Sequence, residues 1–308
     1  MRSRWLAALL NLVPGAGMFY AGRPVAAVAC MVLALAGRHA IAAAMLHPLP
    51  QPYTAVLIWG GLLVTYLLLA LAGWLAVALT PSAPGTWNRG WACVGFVAVA
   101  LAVNAADRAW LVRPWVRPFR VPSGSMDSTL LTGDFFYLAV ARPGTPLPAR
   151  GSIVAFGSIE EIDLQIVKRL VGLPGDTLEM KHRTLYRNHA PVPEPYTIFT
   201  DSADVVDSEQ VEQIRGWQRG RLLVPGDSAA PVSLDTWGPF VVPPDSFYVL
   251  GDNRDASYDS RYYGFIPRTH YAGRPVEVYY SFDSSHGPLA FLTAIRWHRL
   301  GLVLTGNH

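Results

Sequence analysis

Apolar positions fall into two regimes along this chain of 308 residues. In the first hundred they form long runs. Residues 54–80 carry no charge over 27 positions, which at about 1.5 Å per residue exceeds a bilayer core of about 30 Å. Residues 90–106 are uncharged over 17 positions, at the short limit for a span. Residues 25–46 are apolar but interrupted by Arg38 and His39, so Arg38 must reach an interface or face protein. Residues 5–22 are uncharged but broken by Asn11, Pro14, Gly15 and Gly17, the pattern of a re-entrant segment or an irregular span. Three spans follow, or four if residues 5–22 cross. Beyond Arg117 the texture changes. Short apolar runs at 135–140, 152–156, 164–167, 177–180, 221–224, 247–250 and 276–282 are bounded by Gly, Pro and Asp, as strands are. Residues 143–148 and 191–195 read as proline-rich loops, and 195–220 as an exposed polar insertion.

This pattern predicts an N-terminal transmembrane α-helical anchor over residues 1–114 and a mostly-β domain over 115–308. Charge sharpens the division. Residues 1–106 hold five arginines and no acid, whereas the remainder holds 20 basic residues and all 22 acids. A hundred residues with five charges cannot be an ordinary water-facing surface. The net charge of +3, with no basic stripe among aromatics, argues against a nucleic-acid partner. The basic, then apolar start resembles a secretory leader, but no short run ends in a small-residue cleavage site, so it reads as retained. Arginines near the spans divide four against four, leaving orientation undecided by charge. Cys30 and Cys93 both lie in apolar runs, so the polar half has no disulfide framework and no cysteine metal site.

Standard catalytic signatures are absent: there is no HExxH, no phosphate-binding glycine loop and no GxSxG. One count is unusual. Of 25 basic side chains, 23 are Arg; Lys168 and Lys181 are the only lysines. Arg supplies charge equally well but is never deprotonated, whereas a neutral amine can be a base or a nucleophile. Taken alone, Lys168 is also what a strand-end lysine paired with a carboxylate looks like. Ser125 adds weight, because a serine hydroxyl needs a base and Ser-Lys pairs provide one. Gly124 permits close backbone approach, and Ser123 can offer a hydroxyl beside the Ser125 N–H to a developing oxyanion. In a third segment Ser257 can hydrogen-bond the amine, with Asp252, Arg254, Asp255, Asp259 and Arg261 as an ion network.

These three segments, in this order behind an apolar half, resemble bacterial type I signal peptidase, the Ser-Lys dyad serine protease family. The serine box is Pro122, Ser123, Gly124, Ser125 and Met126, then Thr129 and Leu130. The lysine box is Val167, Lys168 and Arg169, then Val171, Gly172, Leu173, Pro174, Gly175 and Asp176. The last box is Gly251, Asp252, Asn253, Arg254 and Asp255, then Ser257, Asp259, Arg261, Gly264 and Phe265.

The resemblance implies a signal-peptidase-like β fold that needs no cofactor or metal. It makes Ser125 the nucleophile, Lys168 the general base and Ser123 the oxyanion donor. Ser257 would orient Lys168, with Asp259 and Arg261 holding the loop. Val121, Pro122, Met126, Leu130, Ile166 and Val167 fall at the family's shallow substrate pockets. The expected partners are preprotein signal peptides cut after a small-x-small motif, the lipid bilayer and, by proximity, the secretion translocon. The expected location is the bacterial cytoplasmic membrane, multi-pass, with the catalytic domain on the extracytoplasmic side. Ser128 stands where the family usually has Pro; Ser152, Ala256 and Ile166 also depart from its pattern. A specialised pilin or conjugation peptidase, and a non-catalytic signal-peptide-binding membrane protein, are the alternatives.

Overall fold

The structure, a computed structural model, describes residues 3–46, 60–79, 90–112, 114–200, 212, 216–218, 220–223 and 233–304. The loop at 47–53, the start of the 54–80 run and most of the 195–220 insertion lie outside the described residues. The chain divides into two units, Met1–Arg117 and Pro118–His308.

The first unit is helical. Helices α1 (Arg4–Leu10), α2 (Ala16–Tyr20), α3 (Pro24–Leu46), α4 (Gly61–Ala78) and α5 (Gly90–Asp107) follow in order. Pro24–Ile41 within α3 and Gly90–Asp107 are long and apolar enough to cross a membrane, and Leu63–Ala78 is a shorter apolar stretch. Their outward surfaces carry large apolar side chains, including Leu33, Leu67 and Val94. Such faces suit lipid and not water.

Residues 5–22 are two short helices broken near Asn11, whose buried side chain donates to the Leu69 carbonyl and accepts from the Gly17 N–H. Glycine is needed there: a Cβ on Gly17 or on Gly73 would collide with the Ala7 carbonyl. Near the starts of α3 and α5, Ala27 and Phe96 both lie against Gly15. Further along both helices, Arg38 pairs with Asp107 and donates to Asn104 (3.2 Å), and His39 Nε2 lies 2.8 Å from Asp107. These two points of contact make α3 and α5 parallel neighbours. Arg38 thus faces protein, one of the two options its sequence position left open.

The second unit is mostly β. Its strands are β1 (Val116–Arg120), β2 (Asp134–Val140), β3 (Ile153–Gly157), β4 (Gln165–Gly172), β5 (Thr177–Lys181), β6 (Thr184–Arg187), β7 (Ala190–Pro191), β8 (Trp237–Val241), β9 (Ser246–Leu250), β10 (Ile266–Pro267), β11 (Tyr271–Ser281) and β12 (Leu302–Val303). The larger sheet has the order β1-β2-β11-β3-β4-β9-β10, with β12 also on β11; the smaller is β7-β6-β5-β8. In β2, buried Asp134, Phe136 and Leu138 alternate with half-buried neighbours, as a strand with one covered face requires. Central β3 is buried on both faces. Ile153 and Ala155 join one core cluster with Met126, Leu130 and Phe136; Val154 and Phe156 join another with Leu170, Phe247 and Ile266.

Two strands outrun their apolar signal. β4 continues past Val167 through Lys168 and Arg169, both buried, and so extends to Gly172. β11 begins at Tyr271 because Gly273 and Pro275 are accommodated beside bulges where the sequence suggested a turn. Residues 221–223 are a turn and not a strand; the Arg221 N–H donates to the Gln218 carbonyl.

Asp134, at the start of β2, is fully buried. Its carboxylate accepts from the Leu131 N–H, the Ser281 hydroxyl and Arg299. Arg299 also donates to the Thr129 carbonyl at 2.8 Å, so the chain near its end braces the segment after the serine box. Removing one partner of a buried pair strands the other. Arg299→Leu is therefore expected to destabilise the purified protein by roughly 3–5 kcal/mol in a urea titration, and adding Asp134→Asn should recover part of that loss.

Candidate active site

Ser125 lies in a 3₁₀ turn, Gly124–Met126, entered from extended Ser123. Met126 and Leu130 anchor this turn in the core, Met126 at 2% exposure. The bonds that fix Ser125 act on its backbone. The Asn253 N–H donates to the Ser125 carbonyl at 3.2 Å, and the Asn253 side-chain amide donates to the Gly124 carbonyl at 3.2 Å. Gly251 is a point of close approach: a Cβ there would lie 2.6 Å from the Ser125 carbonyl and would collide with Ser257. The Ser125 backbone and Ser257 thus both lie against Gly251.

β4 packs against the serine turn and carries Lys168, which is 4% exposed and opposite Val154 of β3. Burial lowers the Lys168 pKa from 10.5 to about 8; nearby Asp259 and Asp252 favour the charged form, and Arg261 opposes it. Desolvation wins because Asp259 is already engaged. Its fully buried carboxylate accepts from the Arg261 Nε (2.9 Å), the Gly251 N–H (2.9 Å) and the Ser257 hydroxyl (2.7 Å). Burial pushes the Asp259 carboxyl up, but the charge and hydrogen bonds of Arg261 outweigh this and hold it below the ordinary carboxylate range.

Every residue singled out in the sequence is described, and they separate by environment. Ser123 and Pro122 are exposed, and Ser125, Ile166 and Val167 are half-buried. Val121, Met126 and Leu130 are buried in the core cluster, so they support the site from beneath and present little surface to a ligand. Ser257 directs its hydroxyl proton to Asp259, which leaves its lone pairs to accept from an amine.

Two charges of the third segment pair outside it. Asp252 takes a two-pronged bond from Arg169 (2.7 and 2.5 Å), Arg254 pairs with Glu194 (2.7 Å), and Asp259 pairs with Arg261 within the segment. Each buried guanidinium needs its own carboxylate, and a short loop cannot turn all of these groups toward one another.

Sequence reasoning gave no role to Arg169, Thr129, Asn253, Glu194 or Tyr196. The first three lie inside the quoted boxes, next to residues that were given roles. Glu194 lies in, and Tyr196 just after, a proline-rich loop that carries no chemical signal. Nevertheless Tyr196 stacks on Arg169, whose guanidinium carbon is 3.7 Å from the ring centre, and Thr129 donates to Asp252 at 2.6 Å.

A family profile described as "Signal peptidase, peptidase S26" matches residues 89–280. A signal peptidase I of Bacillus licheniformis is 35% identical over 196 residues, covering 63% of this chain and 89% of that one. A signal peptidase I of Aquifex aeolicus is 29% identical over 192 residues, covering 53% and 75%. A crystal structure of a signal peptidase I from Enterococcus faecalis has 30% identity over 42% of this chain and 97% of that one, with a TM-score of 0.28. The profile spans well over half of the sequence and contains all three boxes, and on that ground the chain belongs to the signal peptidase family, peptidase S26.

Proposed function

We propose that this peptidase removes signal peptides from exported preproteins, with Ser125 as nucleophile and Lys168 as general base. The observation that carries the assignment is a buried amine, its pKa lowered to about 8, on the strand that packs against the serine turn. A base tuned near the working pH combines a useful neutral fraction with proton affinity. Neutral Lys168 takes the Ser125 proton, and the alkoxide attacks the scissile carbonyl. The oxyanion is held by the Ser123 hydroxyl and the Ser125 N–H. The acyl-enzyme then yields to a water activated by the same amine. Ser257 accepts an N–H of Lys168 and fixes the direction of its lone pair, while Arg261 keeps Asp259 from capturing the amine as an ion pair.

Substrate adds as an extended strand beside residues 121–124 and 165–167. Pro122, Ile166 and Val167 contribute the surface of shallow apolar pockets over the buried Val121, Met126 and Leu130. Such pockets admit small side chains and exclude large ones, which fits the small-x-small ends of signal peptides.

The anchor crosses the bilayer more than once and holds the catalytic unit at the exported face, next to the lipid and near the translocon. The parallel course of α3 and α5 supports this reading: two parallel crossings need one return between them, and α4 is the apolar helix available for it. The chain then leaves α5 on the side opposite the start of α3. Residues 5–22 enter and leave with Arg4 and Arg23 on the cytoplasmic side. With Cys30 and Cys93 replaced by Ala, a membrane-impermeant maleimide added to intact cells should label a cysteine at Glu161 and not one at Gly22; the reverse pattern would exclude this orientation.

Ser125→Ala and Lys168→Met are each expected to reduce cleavage of a preprotein by at least about a thousandfold. Near-normal cleavage by Lys168→Met would remove the dyad. Because the base acts when neutral, kcat/KM for an Ala-x-Ala peptide should fall about tenfold per pH unit below about pH 8 and level off above it. A profile flat between pH 6 and 9 would contradict a titrating amine.

The same substitution separates catalysis from folding. Below pH 8 the folded state holds Lys168 charged and buried, which costs about 3 kcal/mol relative to the unfolded chain. Lys168→Met should therefore be more stable than wild type at pH 7, and its advantage in denaturant titrations should shrink as pH rises through 8 toward 10.5.

A further inference from the structure

The chain leaves the serine turn through a second turn. Residues 126–129 form a type II turn, closed by a bond from the Thr129 N–H to the Met126 carbonyl at 3.1 Å. Asp127 has φ −52° and ψ 147°, and Ser128 has φ +89°. The third position of such a turn requires positive φ and is ordinarily Gly or Asn. Proline, with φ fixed near −65°, cannot occupy it.

A residue with a Cβ remains left-handed only when its surroundings hold it there. The exposed Ser128 has one such tether: its hydroxyl donates to the Tyr196 carbonyl at 2.5 Å. The acceptor is itself immobilised. The Tyr196 ring stacks on buried Arg169, and its hydroxyl donates to Glu194 at 3.1 Å, which pairs with buried Arg254. Two residues on, the Ile198 N–H donates to the Asp252 carbonyl (2.9 Å), and its carbonyl accepts from the Arg254 N–H (3.0 Å). Between these two residues lies Asn253, whose amides hold the carbonyls of Gly124 and Ser125. Residues 194–198 therefore reach the serine turn from both ends, through Ser128 on one side and Asn253 on the other. Thr129, the last residue of the turn, is also fixed by Asp252 and Arg299. With Thr129 fixed, the φ of Ser128 acts together with the Asn253 bonds in setting where the chain bearing Ser125 points.

We propose that Ser128 is a positioning residue for the nucleophile: its hydroxyl, anchored on the Tyr196 carbonyl, keeps the type II turn that aims Ser125 at Lys168. The inference rests on the dyad reading above. It concerns conformation, so glycine, which adopts positive φ without a tether, should replace serine, whereas alanine and proline should not.

The test measures kcat and KM on an Ala-x-Ala peptide for the full-length protein and for Ser128→Gly, Ser128→Ala and Ser128→Pro, with Ser125→Ala in parallel and thermal melts of each. The expected result is a kcat within about threefold of wild type for Gly, about tenfold lower for Ala and at least about a hundredfold lower for Pro, with KM and melting temperature little changed for Gly and Ala. Wild-type kcat in Ser128→Ala, a loss in Ser128→Gly as large as that in Ser128→Ala, or losses that appear in KM or in melting temperature would each overturn the proposal. Activity in Ser125→Ala would instead overturn the dyad, and the positioning role with it.

Discussion

A lysine amine beside a buried carboxylate normally forms an ion pair, and an ion-paired amine is useless as a base. The dyad proposed above depends on preventing this. Asp259 is committed to Arg261, to the Gly251 N–H and to the Ser257 hydroxyl before Lys168 can claim it. Its attraction for the amine persists, but Arg261 stands close enough to offset it, and desolvation then dominates. The guanidinium never titrates, so this arrangement holds across any pH at which the protein folds. Burial thus sets the basicity of Lys168, and Arg261, which takes no proton, offsets part of the opposing pull of Asp259.

The same logic is repeated around the loop after β9. Arg169, Arg254 and Arg261 are all nearly inaccessible, and each is neutralised by a different carboxylate: Asp252 and Asp259 of this loop, and Glu194 from the loop at 191–195. Buried pairs of this kind add little net stability, since desolvation offsets most of their attraction. What they supply here is placement. Loops that the sheet alone would leave loose are held against the serine turn at several points, and among the described residues none of these bonds is made to the hydroxyl or the amine of the proposed dyad.

Much of this was legible in the sequence. The change from long apolar runs to short, turn-bounded ones separated the helical part from the β part, because hydrophobic length reports what an element packs against. The scarcity of lysine isolated Lys168, and the boxes around Ser125 and Ser257 gave it companions. Pairing partners were not legible. β4 ended too early in the sequence reading because two consecutive charges look like a surface, and nothing local announces that Asp252 will neutralise Arg169 across 83 residues. Tyr196 was unreadable for a different reason: its backbone carbonyl makes the contact with Ser128, and any residue type has a carbonyl. The departure at Ser128 was visible, but its meaning required the backbone angle.

The ion cluster in the helical unit bears on how the protein is made. Arg38 and Asp107 are 69 residues apart in sequence, so α3 leaves the ribosome long before its counter-ion exists. During that interval, in the anchor proposed above, an arginine in a lipid-facing helix carries a penalty of about 2.5–3.5 kcal/mol. In that anchor, α3 would reach its final depth only once α5 supplies Asp107. The first acid of the chain would then close this contact late, shortly before the polypeptide of the β unit emerges.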